Sequence, residues 1–232
     1  MRSISAIFVK QAKDSLKNAT IFIQFILFPI MAWVMTEVMA KPDPDIPNGL
    51  FVTTFAAMFA GMTPLTLIAM AIAEDKENKS LRFLSMAGVK PHHYLTGITV
   101  FVLLACAAVS VVFALIGEFT GGLMVKLVAI LTLGSAASAL LSATLGIFAK
   151  NQQAATALAT PMAMVLAFLP FLAEFNESIR TVANVSFTQQ MSVIFANDPT
   201  ASMTRPLLII CANIAVFVGL FVLAYKKKGL NS

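Results

Sequence analysis

Charged side chains are scarce in this chain: Asp, Glu, Lys and Arg make up 12% of its 232 residues, whereas 59% are hydrophobic. Soluble globular domains carry about 25% charged residues, so the composition excludes an ordinary soluble domain. Several runs contain no ionisable residue over the roughly 20 positions that a helix needs to cross a bilayer. The sequence therefore predicts a membrane protein.

Familiar catalytic and metal-binding motifs are also missing. No GxxxxGK[ST] loop is present, because Asn78-Lys79-Ser80 lacks the preceding glycines that cradle ATP phosphates, and neither GxSxG nor HExxH occurs. The two cysteines, Cys106 and Cys211, lie in apolar runs, and the adjacent His92 and His93 point to different faces of a helix with no further ligand nearby. We expect no enzyme active site, no metal and no cofactor in this chain, so any nucleotide energy must come from another chain.

Ionisable residues are absent from the middle of every apolar run. Ion-coupled carriers usually place such a group near mid-bilayer, since it carries the coupling charge. Gln24 and Asn213 are the strongest polar residues at depth, and an amide cannot relay charge by itself. Hydrogen bonding between helices is the favoured interpretation of both amides, and contact with a substrate is the alternative.

Six apolar segments qualify as membrane spans, and each must be a helix because backbone polar groups find no water in the bilayer core. The fold class is thus all-α, a single polytopic domain over 1–232. No small-residue cleavage site follows the first segment, so we expect it to stay in the mature protein. Pro161 and Pro170 predict a broken or shallow fifth span. The predicted spans are 20–39, 50–73, 95–116, 127–149, 154–173 and 206–225.

Basic residues set the predicted orientation. Twelve of the 16 Lys and Arg residues lie before the first span, in 74–94, at Lys150 or in 226–228. Because basic residues resist translocation, both termini and the 74–94 segment are expected in the cytoplasm. The expected location of the chain is the plasma membrane of a bacterium. Topology thus explains the net charge of +5, and nucleic acid is not an expected partner.

Residues 1–18 place apolar side chains on one side of a helical wheel and basic ones on the other. That pattern predicts a helix in the inner interface, with its basic face on anionic lipid headgroups. The alternative is a plain basic anchor.

Small residues recur every four positions along the fourth span: Gly134, Ser138, Ser142 and Gly146. A spacing of four places them on one stripe, where another helix can approach closely. We expect packing within the chain, with a seam between two copies as the alternative.

The 174–205 segment is too polar to cross the bilayer and too apolar for a free loop. We expect short re-entrant helices in the outer leaflet, capped by Asn197-Asp198-Pro199.

The 74–94 segment is the only long charged run between two apolar spans. A charged residue at a helix centre in lipid costs about 2.5 to 3.5 kcal/mol, so this run must stay in water. Its acidic residues would suit the start of a short helix capped by Ser80 or Asn78, and its apolar residues exceed the needs of a free loop. The pattern predicts a rigid helix that docks on a partner, and the alternative is a helix lying on the membrane.

The run Ala73–Leu84, with Gly88-Val89 and Gly97 after it, resembles a motif of the permease subunits of type 2 ABC exporters. Lys79 and Ser80 stand where that family usually has glycine and threonine, and Ile98 stands where lysine is common. The resemblance implies a coupling helix that rests on an ATPase subunit. The residues assigned to this coupling are Glu74, Glu77, Ser80, Leu81, Phe83, Leu84, Met86 and Gly88.

The resemblance further implies two six-span permease subunits, identical or different, above two ATPase subunits that hold ATP and Mg²⁺. A charge-free wall favours a hydrophobic or amphipathic cargo such as a drug, a lipid or an antimicrobial peptide. The alternatives are an ATP-independent carrier or channel and a scaffold for a cytoplasmic partner. The residues assigned to a substrate path are Phe51, Phe55, Met58, Met62, Gln24 and Asn213.

Overall fold

The computed structural model describes residues 2–17, 19–47, 49–196 and 203–228, and all regular structure in these ranges is helical. A π-helical turn, Thr36–Ala40, continues the second helix. The helices in chain order are α1 Arg2–Lys17, α2 Ala19–Met35, α3 Leu50–Glu77, α4 Ser80–Met86, α5 Pro91–Ile116, α6 Gly121–Phe148, α7 Gln152–Phe175, α8 Glu177–Ala183, α9 Phe187–Ala196 and α10 Thr204–Lys228.

Six of these helical stretches are long and apolar enough to cross a membrane, which confirms the prediction of an all-α polytopic membrane protein. Several extend beyond the apolar runs that predicted them: α5 begins at Pro91 rather than 95, and α6 begins at Gly121 rather than 127. Apolar runs mark where a helix meets lipid, whereas caps mark where it begins. Proline at the first position, with its preset φ and no N–H to satisfy, suits the start of α5.

The fifth span is one continuous helix, so the prediction of a break was wrong. α7 runs from Gln152 to Phe175 with Pro161 and Pro170 inside it. A row of alanines on one face packs against α3 and holds α7 in place along its length. The buried alanines of this row are Ala155, Ala159, Ala163 and Ala167.

α3 lies at the centre of the bundle, and the small-residue stripe of α6 packs against it. Pro64 has no N–H to donate to the Ala60 carbonyl one turn earlier. The Ser138 hydroxyl of α6 donates to that carbonyl instead, at 2.5 Å. Ser142 donates to the Leu65 carbonyl and accepts from the Ala69 N–H at 2.7 Å, so its hydroxyl is inserted between two successive turns of α3. The contact between α6 and α3 thus supplies, from outside α3, the hydrogen bond that Pro64 cannot donate.

The glycines of the stripe allow the close approach. A Cβ added at Gly146 would lie 3.3 Å from the Ala69 Cα, and one at Gly134 would lie 2.1 Å from the Met191 Sδ of α9. The stripe therefore faces α3 and α9 of the same chain.

Two short helices follow α7. Asn176 accepts hydrogen bonds from the Ser178 and Ile179 N–H groups and caps α8. α9 turns back into the bundle and buries Phe187 and Met191 completely. The first residues of the predicted 174–205 segment belong to α7, and its last residues belong to α10. The predicted cap at Asn197-Asp198-Pro199 lies outside the described residues.

The bundle has two distinct ends. At one, called the α4 end below, α3, α6 and α10 finish while α5 and α7 begin. The opposite end carries α8 and is called the α8 end.

Candidate functional site

The 74–94 segment divides into the last turn of α3, the short helix α4 and the start of α5. Glu74 and Glu77 were expected at the start of the short helix, but they lie in the last turn of α3. The helix continues through this run because charged residues beyond the lipid do not oppose helix formation. A helix carboxyl end disfavours negative charge, so these acidic residues need compensating partners.

Asp75 receives two such partners. Its side chain is buried, and it accepts from the Lys10 Nζ of α1 at 2.5 Å and from the Tyr94 hydroxyl of α5 at 2.8 Å. This cluster joins α1, α3 and α5. The sequence predicted Lys10 as a topology signal on a basic face that meets lipid headgroups, whereas Lys10 turns to Asp75, and no pattern singled out Tyr94. A usable signal existed, since Asp75 lies at helical spacing from Ile68 and Ile72 on a buried face, and a buried carboxylate requires a partner.

The residues beside Asp75 hold two further helices. Lys76 Nζ donates to the Ile147 carbonyl at 2.6 Å and to the Ala149 carbonyl at 3.2 Å, which satisfies the open carboxyl end of α6. Glu77 accepts from the Gln152 N–H at 3.0 Å and caps the first turn of α7. The last turn of α3 thus contacts α1, α5, α6 and α7 through charged side chains.

Among the described side chains of α4, those that rest on the bundle lie on one side. Leu81 is buried and Leu84 is half-buried against the main hydrophobic cluster. On the other side Phe83 is 69% exposed and Met86 is 78% exposed. The sequence grouped these four apolar residues together, and the structure separates two anchors from two outward side chains. Phe83 and Met86 are called the docking face below.

Gly88 fixes the end of α4. Its φ is +78°, in the left-handed region, and the Val89 N–H donates to the Leu84 carbonyl at 2.9 Å. This is a Schellman ending, in which glycine takes the left-handed position without a Cβ penalty. This turn sets the direction in which the chain continues from the end of α4 toward α5.

Lys79 precedes α4 with a φ of +56°, also in the left-handed region. The family that the motif resembles usually has glycine at this position, and the left-handed backbone favours glycine. A left-handed non-glycine residue costs roughly 1–2 kcal/mol.

Replacing Lys79 by glycine should therefore stabilise the chain by about 1 kcal/mol, because it removes the left-handed penalty. Lys79→Ala is the matched control, since it removes the same charge and keeps the Cβ. Thermal unfolding in detergent should rank Lys79→Gly above both the parent chain and Lys79→Ala. Equal midpoints for the two variants would contradict the argument.

The candidate path residues do not share one surface. Met58 is buried, while Phe55 packs with the main hydrophobic cluster and Met62 with the second. The Gln24 side-chain oxygen accepts from the Thr66 hydroxyl at 3.0 Å. These residues connect α2 to α3 or pack within the core.

Asn213 lies elsewhere in the bundle. Its side-chain amide donates to the Val185 carbonyl at 2.9 Å and to the Ile209 carbonyl at 2.8 Å, which ties α10 to the turn before α9. Phe51, the remaining path residue, is half-buried at the start of α3.

Comparison with known proteins places the whole bundle in one family. The family model described as ABC-2 family transporter protein matches residues 3–223. A search of curated proteins gave no match. The match covers the first five spans, the α4 segment and α10 as far as Leu223, and it agrees with the resemblance seen in the sequence. The chain therefore belongs to the ABC-2 family of transporter proteins, as a membrane subunit of an ABC transporter.

Proposed function

We propose that this chain is the membrane subunit of an ATP-driven exporter and that α4 is its coupling helix, with the docking face seated on a separate ATPase subunit. The observation that carries the proposal is the exposure of Phe83 and Met86 on a helix whose other side is anchored by Leu81 and Leu84. An anchored helix with two apolar side chains facing water offers a partner both burial and a fixed geometry.

The contacts around α4 support its role in transmitting motion. Only Asn78 and Lys79 separate α4 from the last turn of α3. That turn contacts α1 through Lys10, α5 through Tyr94, and α6 and α7 through the backbone ends described above. A displacement of α4 therefore reaches four helices through short, charge-assisted contacts.

ATP and Mg²⁺ belong to the partner in this proposal, and ATP-driven closure of two ATPase subunits supplies the displacement. Moving a two-state equilibrium from 1:99 to 99:1 requires about 5.5 kcal/mol of differential binding between the states. The ABC-2 family match supports pairing with a second permease subunit, and α2 and α10, whose apolar surface is mostly uncovered by the rest of the chain, offer surface for that contact.

The orientation follows from charge: the α4 end carries Lys10, Lys76 and the lysines at 226–228, which favours the cytoplasm. A hydrophobic or amphipathic cargo is favoured by the surface between α2 and α5, where a groove of about 440 Å³ is lined only by apolar side chains such as Phe22, Trp33 and Val109.

Isolation of the tagged chain from its native membrane in mild detergent tests the assignment. We expect an ABC ATPase to be recovered with it, and we expect vesicles containing the complex to move a hydrophobic dye only with ATP. Dye movement by the chain without an ATPase would favour a carrier or channel. A bound partner whose ATP turnover ignores every hydrophobic compound would favour a scaffold.

A labelling experiment tests the orientation separately. In a variant with Cys106 and Cys211 replaced by alanine, expressed without the ATPase subunit so that docking does not shield the position, Met86→Cys should react with a membrane-impermeant reagent in inside-out vesicles and not in intact cells. Labelling in intact cells would place α4 outside and contradict the proposal.

A further inference from the structure

A cavity of about 560 Å³ lies at the α4 end between α1, α2 and α3, beside the starts of α4 and α7. Its volume falls within the roughly 300–1,000 Å³ of small-molecule sites. Glu74 and Gln152 line its polar side, and Ile21 and Leu67 line its apolar side. Leu67 lies about 10 Å deeper along α3 than Glu74, at 1.5 Å per residue. The cavity therefore has a charged entrance and an apolar interior, which suits an amphipathic ligand.

The charges around this cavity are predominantly negative. Among the described side chains, its ionisable groups are three carboxylates and one lysine: Asp14, Glu74, Asp75 and Lys10. Lys10 is bound to Asp75 at 2.5 Å and lies 4.0 Å from Asp14. Among the residues whose side chains are described, Glu74 has no ion-pair partner. Within this described set, two more negative than positive charges line the cavity, which favours a cation and disfavours an anion.

Gln11 provides an independent sign of a ligand. The residue is only 8% exposed, it lines the same cavity, and it makes no hydrogen bond to any described residue. Its amide is not among the fully enclosed polar groups without a partner in the described part of the chain, so it opens into the cavity, where it can bond to water or to a ligand. The side-chain carbonyl of Gln11 is therefore suited to accept a hydrogen bond from a donor on a ligand.

We propose that this cavity binds the protonated amine of an amphipathic molecule. The ammonium donates to the carboxylates of Asp14 and Glu74 and to the side-chain carbonyl of Gln11, and the tail lies along Ile21 and Leu67. An inorganic cation fits less well, since half of the lining is apolar and no cluster of metal-ligating side chains exists among the described residues.

This inference deepens the proposed function and rests on it, because it names the class of cargo as an amphipathic amine taken up at the α4 end. The binding step itself needs no ATPase. It can therefore be measured on the permease alone.

The test uses dodecylamine with a fluorescent group at the far end of its tail, and the corresponding dodecanol as the neutral probe. With the full chain in a neutral maltoside detergent, we expect the amine to bind at least tenfold more tightly than the alcohol. Asp14→Asn and Glu74→Gln should each weaken amine binding about tenfold and leave alcohol binding unchanged, because each removes one charge-assisted hydrogen bond. Glu118→Gln, which changes a carboxylate outside the cavity, should have no effect.

Equal affinity for the two probes, or amine binding indifferent to both cavity variants, would overturn the inference. If a charge variant fails to fold, amine binding by the Gln11→Met variant and the comparison of the two probes on the unaltered chain still test the inference. Competition by added phosphatidylethanolamine would identify a lipid headgroup as the amine, and its absence would identify a free amphipathic amine. If the amine does not bind but the ATPase is still recovered with the permease, the inference is wrong and the proposed function stands. If the amine binds but no ATPase is recovered, the cavity is a binding site and the proposed function is wrong.

Discussion

In the variant carrying Phe83→Asp and Met86→Asp, we expect the ATPase subunit to be lost from the isolated permease while the bundle stays folded. Both side chains are exposed, so the substitutions remove no packing within the chain. Burying each such side chain against a partner is worth about 1.5–3 kcal/mol, and two charges add a desolvation cost. A loss of about 3 kcal/mol or more corresponds to at least about a hundredfold in affinity.

The measurement is the amount of ATPase recovered with the tagged variant, together with its ATP hydrolysis. Phe175→Asp with Val182→Asp is the matched control, because these apolar side chains are 76% and 68% exposed near the α8 end. The control should retain the ATPase. Full recovery with the Phe83 and Met86 variant would show that the partner docks elsewhere. Leu81→Asp would be uninformative, since Leu81 is buried and its loss would disturb α4 itself.

Gly97→Val is expected to displace α1 from the bundle. A Cβ at Gly97 would lie 2.8 Å from the Ile7 Cγ2 and 2.9 Å from the Ile7 Cβ. The branch of isoleucine begins at Cβ, so the side chain cannot turn away and the helix itself must move. Overpacking of this kind costs about 1–3 kcal/mol. Separation of α1 also stretches the contact between Lys10 and Asp75, so ATPase coupling should fall together with stability.

Thermal unfolding in detergent measures the first effect, and ATP hydrolysis by the complex measures the second. Gly219→Val is the control, because a Cβ at Gly219 meets open space. Combining Gly97→Val with Ile7→Ala should recover part of the loss, since the alanine removes the branch that clashes. A midpoint for Gly97→Val equal to that of Gly219→Val would show that α1 does not need this contact.

Local patterns in the sequence predicted the features that depend on nearby residues. Apolar runs identified the six spans, and the spacing of four identified the stripe from Gly134 to Gly146, because both signals lie within one helix. The continuity of α7 through Pro161 and Pro170 could not be read in this way, since it depends on alanines that fit against another helix.

The site at the α4 end required information that the sequence holds only at long range. Lys10 is 65 positions from Asp75, and Tyr94 is 19 positions from it. The helical spacing of Asp75 from Ile68 and Ile72 marks it as a buried carboxylate, whereas nothing near it in the chain identifies Lys10 and Tyr94 as its partners. The split of α4 into anchoring and outward residues also depended on where the neighbouring helices lie.

The hydroxyls of Ser138 and Ser142 constrain which parts of the transporter can change shape. Pulling α6 away from α3 would leave the Ala60 carbonyl, the Ser142 hydroxyl and the Ala69 N–H without partners in a region that lacks water. These two helices are therefore expected to travel as one rigid body during each cycle. An opening for cargo would form instead along boundaries such as that between α2 and α5, where separating apolar side chains exposes them only to lipid tails.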